Sequence, residues 1–122
     1  MSDNAVINML TEAESLLTKK GWTQQTFARD EFGVPTYTYA ESACSFCLRG
    51  ALLVAAKMYS VNTRYDVEHR LHQALAKVLS GADFAAYIEG RVDVVSYNDA
   101  PGRTREDVLN LVDIAKRMEN GE

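Results

Sequence analysis

Tyr97-Asn98-Asp99-Ala100-Pro101-Gly102-Arg103-Thr104 packs several polar side chains into one tight turn between two patterned elements. Asn98 and Asp99 suit side-chain turns onto their own backbone, Pro101 fixes φ, Gly102 permits positive φ, and Thr104 stands where a helix cap belongs. On the carboxyl side, Thr104-Arg105-Glu106-Asp107 has the spacing of a capping box, with Asp107 in place of the usual Glu or Gln. Val108, Leu111, Val112, Ile114, Ala115 and Met118 then recur on one face, so a helix is expected from Thr104 into a fraying tail. On the amino side, Val92, Val94, Val95 and Tyr97 are β-branched or aromatic and predict a strand over 92–97.

Further out, three more helices are expected. Val6, Met9, Leu10, Ala13, Leu16 and Leu17 share one face of a helix over 4–19, with Ser2, Asp3 and Asn4 offering capping oxygens and Lys19-Lys20-Gly21 a basic stop. From Ser42 to Tyr59 apolar residues, Cys44 and Cys47 among them, spread over a broad arc, which predicts a central helix. Leu53 and Ala56 fall outside that arc and can face a second layer or another chain. A third helix over about 64–79 buries Val67, Leu71, Ala74, Leu75 and Val78, ends at Ser80-Gly81, and is followed by a turn or two over 83–88. Between the first two helices the period disappears; Thr36-Tyr37-Thr38-Tyr39 is β-prone, and Gly33-Val34-Pro35 before it predicts a short hairpin.

The fold class that follows is mainly helical α+β, one domain over 1–122. About four principal helices surround one core, with a small sheet of two or three strands built from segments near 36–40 and 92–97. Too few strands alternate with helices for a doubly wound parallel sheet. A chain of 122 residues that is 47% hydrophobic and 25% charged can bury roughly two-thirds of its unfolded surface. Its net charge of −4 comes from 13 basic and 17 acidic residues dispersed along the sequence. There is no basic stripe for a phosphate backbone, so direct nucleic-acid binding is not expected. The amino terminus lacks the pattern of a signal peptide and no segment has the ~20 apolar residues of a membrane span, so the expected location is cytoplasmic, with Cys44 and Cys47 reduced.

Each candidate chemistry competes with a structural reading. Cys44-x-x-Cys47 has redox spacing but no βαβ setting and no neighbouring cation, and its sulfurs are expected in the core. With His69 and His72 the cysteines spell C-x2-C-x21-H-x2-H, yet the histidine spacing is short and helical geometry turns the imidazoles outward; no metal, cofactor or catalytic residue is assigned. Asn98, Asp99 and Arg103 form the one dense polar cluster, where a helix start and an arginine suit an anion, although the loop lacks the glycines and lysine of a phosphate-binding loop. Turn architecture accounts for the same residues. Trp22, Phe27, Tyr37 and Tyr39 are lids over the core or, alternatively, a stacking pocket.

Three blocks together, Gly21-Trp22, Cys47-Leu48-Arg49-Gly50-Ala51-Leu52 and Tyr97 to Thr104, resemble a family of small uncharacterised bacterial and bacteriophage proteins. That family's pattern runs Gly-Trp, Cys-x-x-Gly-Ala-Leu and Trp-Asn-Asp-x-Pro-x-x-Thr, with Tyr97 here in the tryptophan position. The resemblance spans most of the chain and implies a domain of unknown function, from which no site residue carries over. Its phage distribution implies a factor that occupies a host protein's surface. The expected function is therefore a non-catalytic protein-binding factor, a phage or mobile-element inhibitor of a host defence complex acting by steric occlusion. Its expected contacts are Phe46 and Leu53 or the aromatic segment with Trp22, Tyr37 and Tyr39. The alternatives are a small-ligand sensor or enzyme using Asn98, Asp99 and Arg103, with His72 near the pocket, and a structural homodimer.

Overall fold

The computed structural model describes residues 4–122; the capping expected from Ser2 and Asp3 lies outside them. Asn4 provides the cap of α1 (Ala5–Lys19), its Oδ1 accepting from the Ile7 amide at 3.2 Å. The chain then runs through β1 (Ala28–Arg29), β2 (Ser45–Phe46), α2 (Leu48–Ala55), a 3-10 turn (Ala56–Met58), α3 (Val61–Val78), α4 (Gly81–Ile88), α5 (Val94–Asp99) and α6 (Arg105–Glu119). This is the mainly helical α+β class, and the four long amphipathic segments read from the sequence form α1, α2, α3 and α6. Their apolar faces meet in one cluster whose fully buried members include Leu10, Leu17, Leu48, Leu71, Leu75, Leu111 and Val112. No helix among the described residues is long and apolar enough to cross a membrane.

The expected strand over 92–97 is instead the start of α5. Asp93 and Ser96 form a reciprocal capping box, the Ser96 amide donating to Asp93 Oδ1 at 2.8 Å and the Asp93 amide to Ser96 Oγ at 2.9 Å. The cap satisfies two otherwise orphaned amides, and the three-residue step from Val94 to Tyr97 puts both on the buried side of a helix. The β-branched composition loses to this local chemistry. At the other junction, Thr104 and Asp107 cap α6 as expected.

The sheet also lies elsewhere. β1 and β2 are antiparallel, pairing Ala28 with Phe46 and Arg29 with Ser45. The hairpin turn survives at Asp30–Val34, but its return reaches only Pro35 and Thr36, whose amide donates to Ala28 O at 3.0 Å. Tyr37 to Ala40 then form a turn with both tyrosines exposed, since no partner strand or core face is there to hold them extended. The second helix begins at Leu48, not Ser42, because Ser45-Phe46 is committed to β2 and Cys47 Sγ caps the helix by accepting from the Gly50 amide at 3.2 Å.

Polar ties close the bundle. Glu119 at the end of α6 accepts from Asn4 Nδ2 and from Arg70 Nε of α3, both at 3.0 Å, and Lys116 of α6 reaches Glu14 of α1 at 3.1 Å. The Asn4 hydrogen bond, seconded by Arg70 against the opposing effect of burial, holds the Glu119 carboxyl below the ordinary glutamate range. A lowered folded-state value stabilises above the unfolded value of about 4.3 and is lost as pH falls through the folded one. Glu119→Gln is therefore expected to cost about 1 kcal/mol at neutral pH, shrinking as pH drops below about 4.3. Urea titrations across that range check it; a cost independent of pH would contradict this role.

Candidate functional site

Two features outside the bare core organise the surface: a polar clasp around Asn98 and an apolar groove beside Leu53. The clasp holds the loop 21–29, the start of α2 and the end of α5 together.

Asn98 is 0% exposed, and its carboxamide is used in full. Oδ1 accepts from Trp22 Nε1 at 2.7 Å and from the Leu48 amide at 3.0 Å, while Nδ2 donates to Thr23 O at 3.1 Å and Asp99 Oδ1 at 3.0 Å. Two donors and two acceptor contacts are what one carboxamide provides. Asp99 Oδ1 also accepts from the Gln25 amide at 2.9 Å, pinning a residue whose φ of 72° a non-glycine side chain rarely adopts. Gln24 Nε2 donates to the carbonyls of Asn98 and Ala100 at 2.9 and 3.1 Å. Arg103 turns its Nε to Tyr97 O at 2.8 Å and lays its guanidinium over the Tyr97 ring, 3.8 Å from the centroid. Among the described residues no buried side-chain nitrogen or oxygen lacks a hydrogen-bond partner.

Backbone contact completes the clasp. Gly50 on the first turn of α2 faces the Phe27 carbonyl so closely that a Cβ there would sit 2.0 Å from its oxygen. Arg29 fastens the loop below, donating from Nε to Thr23 Oγ1, from Nη1 to Gly33 O and from Nη2 to Gln24 O. The blocks around Trp22, Cys47 to Leu52 and Tyr97 to Thr104, far apart in sequence, thus converge on one buried amide.

A model of a family of unknown function, DUF6197, matches residues 1–118. The chain belongs to the DUF6197 family. No curated protein and no solved structure matches it. As a DUF6197 member it carries no activity with the family name, so function has to be read from its own surfaces.

The remaining candidate residues separate. Cys47 is buried, and desolvation pushes its thiol up against the lowering hydrogen bonds of Gly50 and Arg49, which favours the unreactive protonated form. His69 and His72 are exposed on α3, with His72 beside the Tyr87 ring rather than near the clasp or the cysteines. Among the described residues no group of three or more His, Cys, Asp or Glu is arranged to hold a metal ion. Tyr37 and Tyr39 stack on each other in the open, centroids 5.2 Å apart. Phe46, read as a surface contact together with Leu53, is 3% exposed: it sits in the core because β2 turns it inward against Ala28.

Leu53 is 43% exposed and borders a groove of about 520 Å3 between α2 and α3. α1 packs against both of these helices while contacts between the two are sparse, so the groove is floored by Met9 and walled by Leu52, Leu53 and Ala56 on one side and Val61 and Tyr65 on the other. Val61 and Tyr65 are 66% and 75% exposed, and Met58 at the adjoining turn 82%. The sequence signal for this site was Leu53 and Ala56 falling outside the buried arc of α2; Val61 went unmarked because α3 was expected to start at 64 rather than at Val61, and Tyr65 because it is not on the buried face of that helix.

Proposed function

We propose that the protein is a non-catalytic protein-binding factor whose contact surface is the apolar face around the α2–α3 groove. One observation carries this: Leu53, Val61 and Tyr65 leave large apolar side chains in water around a single concavity. Scattered exposed apolar residues are ordinary, but a contiguous patch beside a groove marks an interaction site. The polar residues best suited to an anionic ligand, Asn98, Asp99 and Arg103, direct their hydrogen bonds into the chain's own loops, which supports the protein-binding reading over a ligand sensor. The finer reading is a phage or mobile-element factor that covers a surface of a host defence complex.

Affinity capture from host lysate, with wild type beside Leu53→Glu, tests this. A stoichiometric partner is expected on the wild type and weakened by at least about 2 kcal/mol, roughly 30-fold, on the variant. Because Leu53 is partly exposed, unfolding free energy should change by no more than about 0.5 kcal/mol. Recovery of no stoichiometric partner, or equal recovery on both proteins, would refute the proposal.

A further inference from the structure

We infer that the α2–α3 groove seats an acidic amphipathic helix of the partner protein, an inference that rests on the protein-binding reading and adds the partner's chemistry. The sign of charge around the groove is reversed relative to the chain. Acidic residues outnumber basic ones 17 to 13 overall, yet Arg49, Lys57 and Arg64 line the groove against Glu68 alone. Arg49 and Glu68 approach at 3.4 Å and offset one another, leaving Lys57 and Arg64, neither of which forms an ion pair with a carboxylate among the described residues.

Arg64 is also held in place. Its Nε and Nη2 donate to the Ala56 carbonyl at 3.2 and 2.9 Å, fixing a guanidinium at the groove without neutralising it. A fixed cation beside an apolar trough favours an apolar segment flanked by carboxylates, and the pairing would steer association as well as set register. The partner's secondary structure follows from the walls. α2 and α3 satisfy their backbone groups internally and offer no open sheet edge, so an extended strand would bury unpaired amides. A helix brings its own hydrogen bonds and lays residues at i, i+3, i+4 and i+7 into a groove between helices. The small side chain of Ala56 leaves room for one such anchor.

The test pans a display library of helical peptides against the full chain, then measures selected peptides by fluorescence anisotropy. Enriched peptides are expected to share an apolar stripe flanked by Asp or Glu. Leu53→Glu should weaken them about tenfold or more, and Lys57→Glu several-fold with loss of most of the salt dependence, both variants keeping the wild-type melting temperature. Peptides flanked by basic residues would overturn the acidic assignment while leaving the protein-binding reading intact. Selected peptides insensitive to Leu53→Glu would overturn the site, as would an empty selection. Two further arms assign the groove elsewhere: a dimer in sedimentation that Leu53→Glu dissolves, and binding to phosphatidylglycerol vesicles that Leu53→Glu abolishes.

Discussion

Asn98→Ala is expected to destabilise the protein by about 3–5 kcal/mol, a large fraction of the roughly 5–15 kcal/mol that holds an ordinary domain folded. Truncation removes both ends of the carboxamide and strands the Leu48 amide, the Thr23 carbonyl and the Trp22 indole N–H in or near the interior. Each buried group left without a partner costs about 1–3 kcal/mol, and the three sit on two segments, the 21–29 loop and the start of α2, which the carboxamide ties together. Asn98→Asp is a sharper companion. It keeps the acceptor atoms but replaces the donor facing Asp99 with a second carboxylate, and should also fail, most severely above the carboxylate range. Urea unfolding of both variants checks the expectation; a loss under about 1 kcal/mol for Asn98→Ala would mean that water or neighbours replace the clasp.

Gly50→Ala provides the second large effect, and here two forces of opposite sign compete. Alanine in a helix is favoured over glycine by about 1 kcal/mol. Against that, the new methyl would lie 2.0 Å from the Phe27 carbonyl oxygen and 2.9 Å from its carbon, atoms of backbone rather than of a side chain that can swing away. Relief requires moving the 21–29 loop off α2, which also loosens the Cys47 amide bond to Phe27 O. The clash wins, and a net loss of about 2–3 kcal/mol is expected. Gly102→Ala serves as the control: its φ of 79° makes alanine strained, but nothing lies within 4 Å of the added Cβ, so only about 1 kcal/mol is at stake. Thermal or urea unfolding of the pair decides; a Gly50→Ala protein as stable as wild type would show that the helix and loop are not locked together.

Much of this architecture was legible because local and long-range preferences agree in the longest helices. In α1 and α6 the apolar period, the Asn4 and Thr104 caps and the buried faces coincide. The reading failed where a cap outweighed composition, as at Asp93 and Ser96, and where tertiary pairing overrode periodicity, as at Ser45-Phe46. The capture of Leu48 by Asn98 has no local sequence signal, since the partner lies 50 residues away, and Cys47 as the cap of α2 was hidden because cysteine is not among the preferred capping residues. The polar turn at 97–104 was visible as special, but sequence alone left ligand binding and turn architecture both open. The groove was half visible: Leu53 and Ala56 stood outside the arc of α2, while the opposite wall depends on how α1 spaces α2 from α3.

Taken together, the clasp builds the fold and the groove faces the partner. Hydrogen–deuterium exchange of the full chain, free and in complex with the partner captured on the wild type, compares these roles directly. Binding is expected to slow exchange across residues 52–65, the end of α2 and the start of α3, while 97–104 stays as it is in the free protein. Protection gained at 97–104 with 52–65 unchanged would contradict the account.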